Sequence, residues 1–307
     1  MTHGFPFSKT IGLVGSTGII GASFLQALQD HNVITFGRHK HHTRHLDLNS
    51  AFGTDIFKDI DVLVYAAGLR DEDLQSDNPH ARWRCGPGQE TLIRAIETAK
   101  ITSVINISTA HVYGNLTGRI TESTPVDPRS HYAKTHLSFE HALQSLGKRQ
   151  GISIVNVRPN AVYGMDMGFK SLQRPNLIPF LFPRLALMEG TLNVKAPDLS
   201  RNFVSANHVA ASSLIAIRQC PQGSTIALNP IGACSLSIGH FANLIATQVK
   251  ALFDIDVGIT KADHTTDTKF KYKSDIGQSD TSLPLEAFLE KYLQYLHSCG
   301  SVKTTGI

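Results

Sequence analysis

Apolar and polar positions follow two rhythms along this chain, and the first change of rhythm comes at once. The apolar run Ile11-Gly-Leu-Val14 meets Gly15-Ser16-Thr17-Gly18-Ile19-Ile20-Gly21, and Ile19, Ile20, Phe24, Leu25 and Leu28 then recur at helical spacing. Strand, glycine turn and helix are predicted in that order. Residues 33–36 read as a second strand, 61–68 as an apolar strand ending in small residues, and 83–100 as a helix with Leu92, Ile93 and Ile96 apolar. Buried strands are predicted at 103–108 and 152–157, separated by a polar, Pro-rich loop (118–129) and a helix running from His131-Tyr132 towards Leu146. Strands alternating with helices of these lengths predict an α/β protein with a parallel, doubly wound sheet.

Beyond Gly164 the texture changes. Residues 165–200 are richer in Pro, Met and Phe, and Arg174, Pro175, Pro179, Pro183 and Pro197 are expected to interrupt regular structure. The segment 201–205 and a helix over 208–217 are expected to return to the main sheet, with 225–228 as a late strand. Helical stretches after Ser237 and over 284–296 then close a smaller lobe. The division predicted is a nucleotide-binding domain of 1–164 plus about 201–230, and a discontinuous substrate lobe of about 165–200 plus 231–307.

Composition narrows the class. The chain has 307 residues, 41% hydrophobic and 18% charged, with a net charge of +4, as in an ordinary soluble protein. No apolar run approaches a membrane span, and the first strand follows the N-terminus too closely to leave room for a signal peptide. Cys85, Cys220, Cys234 and Cys299 lie far apart without a C-x-x-C pair, which suits reduced thiols and a cytoplasmic location. The mild positive charge suits a phosphorylated ligand, but no clustered basic face of the nucleic-acid kind is present.

The opening turn carries the first chemistry. Glycines let the backbone turn sharply and approach a pyrophosphate, while the free N–H groups of the first helical turn face the negative charge. The spacing is G-x-x-G-x-x-G, and a turn needed only for close helix–strand packing is the alternative. A dinucleotide is the expected ligand. The second strand ends in Gly37-Arg38, with Lys40 and Arg44 close by and no acid before Asp47. An arginine attracts the 2′-phosphate that a carboxylate would repel, so NADP(H) is favoured over NAD(H); a solvated basic loop is the alternative. His39, His41, His42 and His45 share that loop, but lack nearby cysteines or a regular spacing, and no metal is assigned.

Taken together the chain resembles the extended short-chain dehydrogenase/reductase family, the nucleotide-sugar epimerases, dehydratases and ketoreductases. The marks are Gly15-x-x-Gly18-x-x-Gly21, Asp47-Leu48, Tyr65-Ala66-Ala67-Gly68, Ser108-Thr109-Ala-His111-Val-Tyr-Gly114, Tyr132, Arg158-Pro159 with Val162-Tyr-Gly164, and Arg201-x-Phe203-Val204. The resemblance implies a Rossmann fold, a nicotinamide cofactor, a nucleotide-sugar substrate and a homodimer formed through two helices. It implies cofactor contacts at Gly15, Ser16, Thr17, Gly18, Ile19, Ile20, Gly21, Arg38, Asp47, Leu48, Ala66, Ala67, Gly68, Tyr132, His136 and Pro159. Substrate contacts fall at Thr109, His111, Asn160 and Arg201, the last being a surface ion pair on the alternative reading.

Carried over residue by residue, Tyr132 is the acid/base, Thr109 orients the substrate oxygen, and the family's lysine four residues after the tyrosine is His136. Tyrosine has an ordinary pKa of about 10, so proton transfer at neutral pH needs a positive neighbour or hydrogen bonds to the phenolate. Histidine, ordinarily about 6.5, supplies less charge than lysine. Lys134 cannot replace it, because two residues along a helix point to a different face. Three further departures are Cys85 at the family's helix-borne asparagine, Ala161 (with Asn160 one position early) at a second asparagine, and His208 at the usual Asp before Val-Ala. Two readings stand: an oxidoreductase or epimerase of nucleotide-activated sugars, or a weakly active or inactive NADP(H)-binding sensor or scaffold.

Overall fold

The computed structural model describes residues 9–48, 50–68, 87–165, 177–263, 270–281 and 284–300. Its frame is a seven-stranded, all-parallel sheet made of β1 (Thr10–Val14), β2 (Asn32–Gly37), β3 (Arg44–His45), β4 (Val62–Tyr65), β5 (Ser103–Ile107), β7 (Ser153–Val157) and β11 (Thr225–Leu228). The order across it is β11-β7-β5-β4-β1-β2-β3. The chain builds outward from β1 on one side, then crosses over and builds outward from β4 on the other. The strand order therefore reverses between β1 and β4, and the crevice beyond their carboxyl ends is where such sheets take ligands.

Helices cover both faces because both faces of the strands are apolar. Ile11, Leu13, Val62, Val64, Ile105, Ile107, Val155 and Val157 pack on one side, with Phe24 of α1 (Ile19–Ala27) and Val209, Ala210 and Leu214 of α5 (Ala206–Gln219). Val14, Leu63, Val104 and Ile154 point to the other side and meet α2 (Pro87–Thr98) and α3 (His131–Gln150) through Leu92, Ile96, Phe139, Leu143 and Leu146. The predicted start of α2, like Cys85, lies outside the described residues. α3 is well delimited: the Ser130 hydroxyl accepts from the Ala133 N–H at its start, and Gly151 turns left-handed (φ 70°) at its end.

One strand expectation is corrected. β10 (Ser200–Ser205) does not return to the main sheet; it pairs with β8 (Ala161–Tyr163) and β12 (Cys234–Ser237) in a separate three-stranded sheet. Buried on Phe203 and Val204 alike, its apolar alternation could not distinguish one sheet from the other. The proline expectation also fails in part. Pro179 and Pro183 lie inside α4 (Ile178–Glu189); Pro179 sits in the first turn, where its missing N–H costs nothing, and Pro183 gives up one backbone bond while being buried. Arg174 and Pro175 lie outside the described residues.

A second core lies beside the sheet. Phe180, Leu187, Phe241, Ile245, Phe288, Leu289 and Tyr292 bring together α4, α6 (Ile238–Phe253) and α7 (Leu285–Ser298), with Tyr163 and Phe203 beneath them. β9 (Thr191–Val194) pairs with β13 (Gly258–Lys261), and β6 (Gly118–Ile120) with β14 (Phe270–Tyr272). Among the described residues no helix is long and apolar enough to cross a membrane.

Candidate active site at the carboxyl edge of the sheet

The glycine turn closes onto the end of β4. Gly15 has φ +88°, and a Cβ there would stand 2.6 Å from the Ala67 nitrogen and 2.8 Å from the Ala66 carbonyl carbon. At Gly21 a Cβ would lie 2.0 Å from the Gly15 oxygen, so α1 can approach the turn only without a side chain. Gly18 is different. It caps α1 in an extended conformation with no side-chain hydrogen bond, and a Cβ there would meet only the Gly15 oxygen at 3.6 Å. Two glycines thus shape the turn while the third leaves open space over uncapped N–H groups. That cradle fits a dinucleotide pyrophosphate.

Around it the structure gathers Ser16, which is buried, the half-buried Ala66 and Ala67, and the exposed Gly68. Leu48 packs against the core beneath β2, and Asp47 follows β3. Arg38 is exposed at the end of β2. Arg44 turns away from the cradle: its guanidinium donates to the carbonyls of Ile56 (3.2 Å) and Lys58 (2.6 Å) and covers the Phe36 ring. Val-Tyr-Gly164 serves packing, since a Cβ on Gly164 would touch Ile19 and Ala206 at 3.1 Å each.

The chemistry-bearing side chains meet past β5. Thr109 is buried in extended conformation and caps a 3-10 turn (Ala110–Tyr113), its Oγ1 accepting from the His111 N–H at 3.3 Å. The Ala110 N–H donates to the Pro159 carbonyl at 2.9 Å, tying this turn to the one after β7. Tyr132, half-buried in the first turn of α3, stands between two imidazoles. His136 is 4.6 Å away and His111 6.4 Å away between ring centroids, both edge to face. His136 is buried and Lys134 exposed, as the four- and two-residue spacings require.

Asn160 lies just past Pro159, and neither its amide nitrogen nor its oxygen has a hydrogen-bond partner among the described residues although both are inaccessible to water. Arg201 lies in β10 two residues before Phe203, which pairs with Ala161, the residue after Asn160. Arg201 is half-buried and donates to the Ser200 carbonyl at 3.0 Å, and burial lowers its guanidinium pKa. No ion pair is formed by it among the described residues, so the surface-pair alternative finds no partner there.

Sequence reasoning missed what supports these residues. Glu140 continues the Tyr132–His136 stripe by one more helical turn and grips Arg158 bidentately, 2.6 and 3.1 Å, with both side chains buried. The i, i+4 spacing was the available signal. Arg158 also lies over the Tyr113 ring at 4.9 Å. Tyr113 donates to Asn229 Oδ1 at 2.9 Å, and the Tyr272 hydroxyl donates to the Arg158 carbonyl while lying 3.0 Å from the same Asn229 oxygen. Glu122 accepts from the backbone N–H groups of Asn229 and Asp275 at 2.9 Å each and from the Ser274 hydroxyl. Among the described residues no cluster of three His, Cys, Asp or Glu side chains could hold a metal.

Comparison with known proteins bears on the family and the fold. The model of the NAD dependent epimerase/dehydratase family matches residues 11–228. An uncharacterized UDP-glucose epimerase of Bacillus subtilis, YtcB, is 30% identical over 129 residues, a stretch spanning 40% of this chain and 40% of that protein. The structure of MoeE5 in complex with UDP-glucose and NAD superposes with a TM-score of 0.75 at 19% identity, over 95% of this chain and 99% of that one. UDP-glucuronic acid 4-epimerase from Bacillus cereus in complex with NAD gives 0.75 at 20% identity, covering 94% and 96%. At such identities the likeness to solved structures is one of fold. The family match, reaching from the glycine turn to the last strand of the sheet, is what decides: this chain belongs to the NAD-dependent epimerase/dehydratase family of extended short-chain dehydrogenases/reductases.

Proposed function

We propose that this chain oxidises and reduces a carbon of a nucleotide-activated sugar, using NADP(H) in preference to NAD(H). The observation that carries the reading is the placement of Tyr132 between His111 and His136 on a helix that starts beside the Thr109 turn. A bound nicotinamide supplies or accepts the hydride at the sugar carbon. Tyr132 Oη gives or takes the proton of the matching hydroxyl, which balances the step. Thr109 Oγ1 accepts from the His111 N–H and keeps its own proton to donate to the substrate oxygen. His136 hydrogen-bonds the cofactor ribose in place of a lysine.

Arg201 supports a diphosphate-bearing substrate, being half-buried in the strand that pairs with β8 and without a carboxylate partner among the described residues. The unpartnered Asn160 amide supports a polar ligand at the turn before β8. Preference for NADP(H) is supported by Gly37-Arg38 at the end of β2. A 4-keto reductase is the reaction best matched by an exchangeable NADPH. An inactive cofactor binder is the second reading, favoured by histidine in the lysine's place.

The test is NADPH oxidation with a panel of 4-keto nucleotide sugars, run beside Tyr132→Phe. Turnover that falls by about 10²–10⁴-fold in the variant supports the enzyme. Tight cofactor binding without turnover in either protein establishes the second reading. Mass spectrometry of the purified protein adds the cofactor's identity: tightly held NAD would favour an epimerase or dehydratase cycling its own hydride.

A further inference from the structure

We propose that His42 reads the adenosine ribose of the cofactor from the loop after β2, standing in for a strand-end side chain, and makes the choice between NADP(H) and NAD(H) depend on pH. The inference rests on the dinucleotide reading of the cradle.

The observation is one of space. In dinucleotide folds the side chain at the end of the second strand meets the ribose 2′ position. Here that position is Gly37, which has no side chain, and the His42 ring fills the place. A Cβ at Gly37 would lie 2.3 Å from His42 Nε2 and 2.4 Å from its Cδ2. The other ring nitrogen, Nδ1, is 3.3 Å from the hydroxyl of Ser16 in the glycine turn. One imidazole therefore bridges the phosphate turn and the ribose end of the crevice.

The two protonation states differ in what they offer. In the neutral ring with the Ser16 hydroxyl donating to Nδ1, Nε2 carries the proton and can meet a 2′-hydroxyl. In the imidazolium both nitrogens donate, so the Ser16 oxygen becomes the acceptor and its proton turns free towards the pyrophosphate. The cation also pairs with a 2′-phosphate. Uptake of one proton by His42 thus favours NADP(H) through the 2′-phosphate, while the freed Ser16 proton serves both cofactors alike.

The surroundings set the free ring towards neutrality. Burial, then the charges of His41 and His39, hold the His42 pKa below its ordinary value. His39 stacks on it at a centroid distance of 6.4 Å and His41 lies tilted against it at 4.3 Å, while Arg38 and Lys40 of the same loop are exposed. The glycine turn adds only Ser16 and Thr17, which do not titrate. From β3, Arg44 is held by the Ile56 and Lys58 carbonyls and His45 is exposed; Asp47 beyond β3 is the carboxylate of this stretch. A 2′-phosphate brought to the ring supplies the negative charge that the loop lacks.

The test is binding. Dissociation constants for NADPH and NADH are measured by fluorescence at pH 6.0 and 8.0 for the wild type, His42→Gln and the double variant His39→Gln/His41→Gln. The preference for NADPH should rise about tenfold towards pH 6.0 in the wild type and the double variant, and stay nearly flat in His42→Gln. An equal pH response in His42→Gln overturns the proposal. Ring ¹⁵N spectra of the wild type give a reading free of any variant: adenosine 2′,5′-bisphosphate should raise the His42 pKa and adenosine 5′-phosphate should not. Equal shifts with both ligands overturn it as well. Failure of every nucleotide to bind at either pH overturns the dinucleotide reading itself, whereas binding without pH-dependent preference removes only the role of His42.

Discussion

Tyr132 and His136 face each other one helical turn apart, ring centroids 4.6 Å apart and planes at 65°. Neighbouring turns of α3 give this pair its geometry, and the burial of His136 removes it from solvent while Tyr132 stays half-exposed. A lysine at 136 would put a fixed positive charge where the imidazole edge now sits, favouring the phenolate form of Tyr132. The expected result is that His136→Lys raises kcat at pH 7–8, by up to about tenfold for each unit by which the phenol pKa falls, in an acid/base-limited step. A fall to background would instead assign His136 a role that lysine cannot fill.

The three glycines of the opening turn should separate in their effects. Gly21→Ala forces a Cβ to within 2.0 Å of the Gly15 oxygen and should cost about 1–3 kcal/mol or more while abolishing cofactor binding. Gly18→Ala meets nothing closer than 3.6 Å, so the fold should lose less than about 1 kcal/mol. Cofactor affinity should nonetheless drop, because the new methyl enters the space reserved for phosphate. Urea unfolding and fluorescence titration of the two variants measure both halves of this contrast.

Glu140 and Arg158 are buried together, and each is the other's charge partner. Glu140→Gln leaves the guanidinium buried without its counter-charge and should destabilise the protein by about 3–5 kcal/mol. Replacing both, as Glu140→Leu with Arg158→Met, should cost less than the sum of the single changes. A double-mutant cycle in urea gives the coupling directly, and additive effects would show that the pair is energetically unlinked.

The His42 pKa also predicts a stability trend in the ligand-free protein. Burial depresses it in the folded state, with His41 and His39 adding to the effect. The unfolded chain then binds the proton more readily, so stability is present above the ordinary histidine value of about 6.5 and is lost as pH falls below it. The wild-type Tm should therefore decline more steeply than that of His42→Gln between pH 7.5 and 5.5. Adenosine 2′,5′-bisphosphate should reduce the difference, since a ligand that favours the protonated ring reverses the sign. The ring is largely solvated, so the effect is small and calls for paired calorimetric scans.

The fold was readable wherever the apolar rhythm was long. Ile11–Leu28 announced strand, turn and helix because burial on two faces leaves no other pattern, and the 103–107 and 153–157 strands followed the same logic. The segment 201–205, expected in the main sheet, lies in another, because a buried strand looks alike from within whichever neighbour it pairs with. Pro183 misled because local propensity yields to tertiary packing once the residue is buried. In the candidate site, Thr109, Tyr132 and His136 are picked out by the family resemblance, and the fold brings them together past β5. His42 over Gly37 could not be read from the sequence, since the missing side chain of one residue is filled by another five positions on, a relation that only the folded loop creates. Glu122, Asn229 and Tyr272 escaped for a similar reason, being joined across more than a hundred residues in two of their three links.

Those long links bear on the order in which the molecule can be completed. The carbonyl of Arg158 is held by a hydroxyl 114 positions later, and Glu122 reaches Ser274 across 152. A chain released only as far as residue 269 could pair β7 with β5 and wind α3, but the turn carrying Pro159 and Asn160 would still lack the strand that braces it from behind. The carboxyl edge of the sheet is thus finished only once β14 has been made, and chain closure over such separations is slow. The cradle at Gly15–Gly21 can stand early; the surface proposed for catalysis must wait for Tyr272.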